Sequence, residues 1–208
     1  MSKFIDISWP ISAAMTSYKD AKPITVTTHK EVAIDGVTDS SLSCNLHVGT
    51  HIDAPIHFIP GGATVEQLSL EQMNGACRVL DLTHVSEAVT AADLKRYQVE
   101  QGERILLKTR NSLLDADAPF DYDFVYLAAD GAQHLAECGS ALVGIDALGI
   151  ERRQPDHRTH TFLFQANSII LEGLRLAHVA AGRYTLILLP LALRGLEAAP
   201  ARALLTKY

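Results

Sequence analysis

Ser41-Leu-Ser-Cys-Asn-Leu-His-Val-Gly-Thr-His-Ile-Asp-Ala-Pro-Ile-His-Phe58 places three of the chain's nine histidines within eleven residues. With a period of two, one parity carries Leu42, Cys44, Leu46, Val48, Thr50 and Ile52. The other carries Ser41, Ser43, Asn45, His47, Gly49, His51 and Asp53. Side chains alternate across a strand, so this pattern predicts one apolar face and one face bearing two imidazoles and a carboxylate. Gly49, between the two histidines, leaves room there for another object. A helix would also bring His47 and His51 one turn apart, but Gly49, Thr50, Ile52 and Pro55 make a poor helix interior. The reading is therefore a strand over 41–53, broken by Ala54-Pro55, with His57 on the following bend. Nitrogen and oxygen ligands converging on a small gap suit zinc, manganese or iron. The bland alternative is three unrelated histidines on a sheet edge.

Working outward, the chain has 208 residues, 48% hydrophobic, enough for one domain over 1–208 with a sizeable core. A net charge of −6 without a basic run argues against nucleic acid as a partner. No apolar run is long enough to span a bilayer, and the first eight residues lack a signal-peptide core. Three cysteines without C-x-x-C spacing read as reduced thiols, so the expectation is a cytoplasmic protein without membrane association.

On the N-terminal side, Phe4–Ser8 reads as a strand, residues 11–22 as a loop holding Met15 and Tyr18, and 23–34 as an extended arm. Asp35-Gly36 turns that arm into a hairpin with the histidine strand. Tyr18 is either a loop aromatic packed on the core or a substrate contact. On the C-terminal side, Thr64 and Gln67 form the capping box of a helix to Met73, and Thr90 with Asp93 opens another. Strands are predicted at 78–82, 104–109, 124–128 and 141–145, with Asp130 capping a helix that Gly139 ends. Strand and helix alternating from 78 to 145 argue for an α/β core with parallel pairs, and 184–189 reads as a last, antiparallel strand. A second polar cluster, Asp156-His-Arg-Thr-His160, precedes the apolar run that ends at Glu172. On residue chemistry alone, His157 and His160 are equally placed to be ligands.

These residues together resemble a known family. His47-x-Gly-Thr-His51-x-Asp53-Ala-Pro-x-His57-Phe58 is similar to the signature of the cyclase family, which includes the bacterial kynurenine formamidases (arylformamidases) and, more distantly, isatin hydrolase. Asp6-Ile-Ser8, Pro10-Ile-Ser12, Val143–Asp146, Ile170–Leu174, Gly182–Tyr184, Leu189–Leu191 and Ala199–Arg202 extend the resemblance along nearly the whole chain. It implies a swivelling β/β/α fold, a mixed sheet with antiparallel hairpins plus helices, and a homodimer. It further implies two divalent ions per subunit, zinc or manganese. His47 and His51 would hold one, Asp53 would bridge, His160 would hold the second, and Glu172 would contribute to both. The spacing His160-x11-Glu172 favours His160 over His157. His57 would be the acid/base in hydrolysis of a small amide, an aryl formamide such as N-formylkynurenine or a related lactam or lactone. The loop Met15-Thr-Ser-Tyr-Lys-Asp20 departs from the family's Thr-Pro-Val-Trp-Pro-Gly-Asp segment, with Tyr18 where the Trp falls.

Two rival readings remain at this level. An iron(II)/2-oxoglutarate-type oxygenase would use His51, Asp53 and His160, and a catalytically inactive family member would keep a structural metal. A thiol mechanism through Cys44 is disfavoured, because parity puts Cys44 on the apolar face.

Overall fold

A computed structural model describes residues 3–21 and 23–207; positions 1 and 2 of the N-terminal stretch and position 22 of the 11–22 loop fall outside it. The chain runs β1 (Phe4–Asp6), β2 (Thr25–Lys30), α1 (Val32–Asp35), β3 (Asp39–Ser43), β4 (His51–Asp53), α2 (Leu70–Met73), β5 (Gly75–Asp81) and β6 (Ala88–Val89). It continues through α3 (Ala91–Lys95), β7 (Arg104–Lys108), β8 (Tyr126–Leu127), α4 (Ala129–Glu137), β9 (Leu142–Ile145), α5 (Arg158–Gln165), β10 (Ile169–Glu172), β11 (Gly182–Pro190) and β12 (Ala198–Thr206).

The result is the α/β architecture expected. Eight strands form one sheet in the order β1-β12-β11-β5-β7-β9-β10-β4, and β12 also pairs with β4, so the sheet closes on itself. β5, β7, β9 and β10 are mutually parallel, and the other pairings in this sheet are antiparallel. Ile105 and Leu107 of β7 face one apolar cluster while Leu106 faces another, which explains why this strand reads as an unbroken apolar run. Each such leucine contributes about 1.5–3 kcal/mol of burial. No helix among the described residues is long and apolar enough to cross a membrane.

Several local expectations are corrected. The single strand over 41–53 is two strands separated by an irregular segment, because Gly49 takes a left-handed φ of 56° and the Asn45 side chain accepts from the His47 amide. The apolar parity face is buried only at its C-terminal end: Val48, Thr50 and Ile52 are buried, whereas Leu42 is 53% exposed on the β2–β3 hairpin. The helix expected at 64–73 breaks at extended Leu68 into a 3-10 turn, Val65–Gln67, and α2. Thr64 and Gln67 still form their capping box, as do Thr90 and Asp93 at the start of α3. Asp130 lies inside α4 rather than capping it, and accepts from the Ala91 amide across to α3. The strand at 124–128 shrinks to β8, which leaves the main sheet to pair with β6. The Asn111 side chain captures both the amide and the carbonyl of Val125, diverting that backbone. Finally, 184–189 is not the last strand; alanine-rich β12, interrupted by Pro200, follows it.

Asp146 ends β9 and is buried at 1% exposure. It accepts from the amides of Thr109 (2.8 Å) and Ser112 (3.1 Å) and from both hydroxyls, at 2.8 and 2.7 Å. The carboxylate thereby ties the 3-10 turn at Arg110–Leu113 to the end of the sheet. Burial pushes its carboxyl up, against the hydrogen bonds from Ser112 and Thr109. Asp146→Ala leaves those buried donors without an acceptor, so a loss on the order of 3 kcal/mol is expected in urea-induced unfolding.

Candidate metal centre

β4 carries the centre because of what flanks it. It pairs with β10 on one side and with β12 on the other, placing Glu172 opposite His51. Ile52 points into the core at 0% exposure, so its neighbours His51 and Asp53 share the opposite side. α5 supplies His160, and the irregular segment before β4 supplies His47. This segment reaches β4 through a close backbone crossing. A Cβ on Gly173 would sit 2.0 Å from the Gly49 carbonyl oxygen, and one on Gly49 would meet the Trp9 carbonyl at 2.9 Å. The room that Gly49 leaves is therefore filled by backbone rather than by a ligand.

His47 Nδ1 lies 2.9 Å from Asp53 Oδ1, and His51 Nε2 lies 3.2 Å from Glu172 Oε2. His160 Nε2 lies 3.5 Å from Asp53 Oδ2 and 3.6 Å from Glu172 Oε1. Two triads result, His47/His51/Asp53 and Asp53/His160/Glu172, each with its donor atoms within 4.8 Å of one another. Asp53 belongs to both. Despite these short separations, His51 Nε2 and Asp53 Oδ1 are buried without a hydrogen-bond partner. Each such orphan costs about 1–3 kcal/mol. Lone pairs of nitrogen and carboxylate oxygen aimed at a common space fit a divalent cation, which would satisfy them.

Outer contacts orient these side chains. His51 Nδ1 lies 2.9 Å from the Gly49 carbonyl, which can only accept, so the proton sits on Nδ1 and Nε2 presents a lone pair. The Ile150 amide donates to Glu172 Oε1 at 2.6 Å. Glu151 faces His160 Nδ1 at 3.0 Å with one oxygen and contacts His157 Nδ1 with the other.

The electrostatics follow from packing these charges out of water. Burial would raise the Asp53 carboxyl, but the imidazoles of His160 and His47 hold it well below the usual range. For Glu172, burial and the Asp53 charge push upward, and His160 and His51 outweigh them. Burial would lower His160, yet Asp53, Glu151 and Glu172 raise it well above the ordinary imidazole value. His51 rises as well, with Glu172 and Asp53 overcoming its complete burial. The two carboxylates and the imidazoles of His51 and His160 thus favour one another's charged forms.

His57 lies beside the triads and in neither. Its ring packs at a tilt on His47 at 4.3 Å and meets Phe58 edge-on at 4.1 Å, and its centroid is 6.1 Å from that of His160. Burial lowers its pKa; Asp53 opposes this and the charges of His47 and His160 reinforce it. The cleft over the cluster has a volume of about 280 Å³, and Tyr18, Lys19, Phe58, Leu148 and Gly149 border it. The Tyr18 ring packs over Gly149, where an added Cβ would be 3.1 Å away.

The structure thus brings His47, His51, Asp53, His160 and Glu172 together, with His57 adjacent and Tyr18 on the wall. His157 stays out of the triads, and His29, His84 and His178 are exposed elsewhere. Sequence reasoning missed Glu151, Lys19 and Phe58. A signal for Glu151 existed: it lies in the loop after the carboxyl end of parallel strand β9, beside the end of β10 that carries Glu172, where α/β sheets place ligand sites.

A family model described as "Putative cyclase" matches residues 5–152. The kynurenine formamidase of Sphingopyxis alaskensis is 34% identical over 208 residues, covering 99% of this chain and 98% of its own. That of Bacillus anthracis is also 34% identical, with 98% and 97% covered. A solved structure described as a potential metal-dependent hydrolase with cyclase activity superposes with a TM-score of 0.91 at 43% identity, covering 99% of this chain and 98% of that one. Isatin hydrolase A from Ralstonia solanacearum, at 19% identity, shares the fold with a TM-score of 0.82 over 99% of this chain and 92% of its own. Matched over more than half of its residues by that model, and over nearly all of them by its relatives, this chain belongs to the cyclase family.

Proposed function

We propose that the protein is a metal-dependent amide hydrolase that cleaves an aryl formamide of the N-formylkynurenine type, or a related lactam or lactone. The observation that carries this reading is the pair of His/Asp/Glu triads sharing the buried Asp53. The relatives named kynurenine formamidase point to the same chemistry. His47, His51 and Asp53 would hold one cation, and Asp53, His160 and Glu172 the other. Glu172 also approaches His51, so it can serve both. Zinc suits this nitrogen-rich set best, with manganese the next choice. Such ions, when bound, act as Lewis acids and lower the pKa of coordinated water to about 7.

The chain's own groups complete the reaction. His57, lowered in pKa and outside both triads, is a neutral imidazole near pH 7 with a free ring nitrogen for a proton. It takes the proton from the attacking water and returns it to the departing nitrogen, which would otherwise leave as an unstable amide anion. Tyr18 and Phe58 offer aromatic surfaces for an aryl substrate and exclude water from its ring. An oxygenase using His51, Asp53 and His160 would leave His47 and Glu172 idle in the same cluster, and no observation favours it.

The homodimer rests on the β2–β3 hairpin. Every described residue from 25 to 43 is exposed, and Val26 and Leu42, paired in register, are each 53% exposed. Val32 and Ile34 at its tip are 66% and 81% exposed. A two-stranded ribbon is marginal alone, so a second subunit covering this face is the economical arrangement. The three free cysteines suit a reducing cytoplasm.

Three measurements test this reading. His57→Ala should lower kcat by about 10²–10⁴-fold while metal content by atomic emission stays at the wild-type level; loss of metal with the fold intact would refute the assigned role. The carboxylates favour the protonated forms of His51 and His160, with which a cation must compete, so metal affinity should weaken as pH falls. Calorimetry in two buffers of different ionisation enthalpy should then show net proton release on metal binding. Val26→Asp combined with Leu42→Asp should convert a dimer to a monomer in sedimentation velocity; an unchanged species would remove the hairpin from the interface.

A further inference from the structure

The loop from Met15 to Asp20 departs most from the family pattern, and it holds an unusual piece of backbone. Lys19 has φ 56° and ψ 23°, and Asp20 has φ 53°. Two consecutive non-glycine residues in the left-handed region persist only where their surroundings over-determine them. Here they do. The Asp20 carboxylate accepts from the Phe120 amide at 3.0 Å, and the Tyr122 hydroxyl donates to the Lys19 carbonyl at 3.2 Å. The Thr16 amide donates to the Ala116 carbonyl at 3.0 Å, and the Tyr18 ring meets Phe120 edge-on at 5.0 Å. If the loop needed only to bend, glycine would do so without strain. Lysine at this position puts an ammonium at the rim of the cleft, next to the ring of Tyr18.

Lys19 Nζ lies 5.2 Å from the Tyr18 ring centroid. No carboxylate is within ion-pair distance of it among the described residues. Apart from histidines, the other charged groups lining the cleft are Asp53, Glu151 and Glu172. Two of these belong to the triads, and Glu151 is engaged by His157 and His160. Among the described residues that line the cleft, Lys19 is therefore the one lysine or arginine, and no carboxylate lies within ion-pair distance of it.

We propose that Lys19 is a specificity-determining residue that binds a carboxylate on the substrate, at the end remote from the scissile amide, while Tyr18 flanks the aryl ring. The substrate class is then an anionic aryl amide. A monoanion fits better than a doubly charged phosphate ester, because three carboxylates also face the cleft. This inference rests on the amide-hydrolase reading.

The test compares two aryl formamides that differ only in the remote carboxylate: 4-(2-formamidophenyl)-4-oxobutanoate, a monoanion without an amine, and 2′-formamidoacetophenone, which is uncharged. With zinc-loaded enzyme, Lys19→Met should reduce the ratio of kcat/KM for the acidic over the neutral substrate about 3- to 10-fold, mostly through KM for the acidic one. Lys19→Arg should restore most of the ratio. Added salt should raise KM for the acidic substrate in the wild type and much less in Lys19→Met. Turnover of both substrates with a ratio insensitive to Lys19→Met would overturn the assignment of Lys19 alone. Turnover of neither substrate by the wild type would overturn the hydrolase reading and this inference with it.

Discussion

The carboxylate of Asp53 is the constraint around which the rest of the molecule is arranged. It is 1% exposed, lies on a three-residue strand, and belongs to both triads. A lone ionised carboxylate at that depth would be prohibitively costly, so positive charge has to gather around it. His47 and His51 approach from its own segment, and His160 arrives from α5. A second buried carboxylate, Glu172, comes from the adjacent strand. Two carboxylates this close repel one another unless something cationic lies between them. Protonated histidines serve that purpose without a metal, and divalent ions would serve it better.

That requirement explains why so short a strand is so firmly held. β4 is hydrogen-bonded on both edges, by β10 and by the start of β12, and so closes the sheet. Trp9 donates its amide to Thr50 Oγ1, and Thr50 donates its hydroxyl to the Gly173 carbonyl. The residues on either side of the cluster are thereby tied to one another across the glycine crossing. Side chains set on strands and held by backbone carbonyls and amides, as His51 is by Gly49 and Glu172 by Ile150, have little freedom to reorganise.

Much of this was legible from residue type and order, though partly for the wrong geometric reason. The alternating parallel core could be read because β7 and β9 are buried on both faces and their apolar runs are unambiguous. His47, His51 and Asp53 were singled out by a period of two, yet His47 is not on the strand at all. A left-handed glycine and a side chain-to-backbone bond at Asn45 fold the segment so that the imidazole still arrives. Local pattern carried the chemistry there and not the path of the chain. The choice of His160 over His157 came from the resemblance, since both look alike in sequence. What separates them is tertiary: His160 is buried on α5, while His157, at its left-handed N-terminal boundary, contacts Glu151 and the Phe58 ring and stays outside both triads. Glu151 and Lys19 escaped notice because neither lies in a periodic segment, and only the folded loops bring them to the cleft.

The division of labour between scaffold and loop is the last consequence of the architecture. The cluster is drawn from β4, β10 and α5, elements with extensive backbone pairing or core packing. The Met15–Asp20 loop attaches differently. It is held to residues 116–122 by Thr16, the Asp20 carboxylate, the Tyr122 hydroxyl and ring contacts. These anchors involve none of the triad residues. Changes at positions 18 and 19 therefore alter the rim of the cleft without passing through any hydrogen bond that orients a ligand. A fold built this way can keep its buried cluster unchanged while the loop at the cleft's rim varies. The same separation accounts for a chain that retains the family's histidine signature while carrying Tyr18 and Lys19 in a loop of its own.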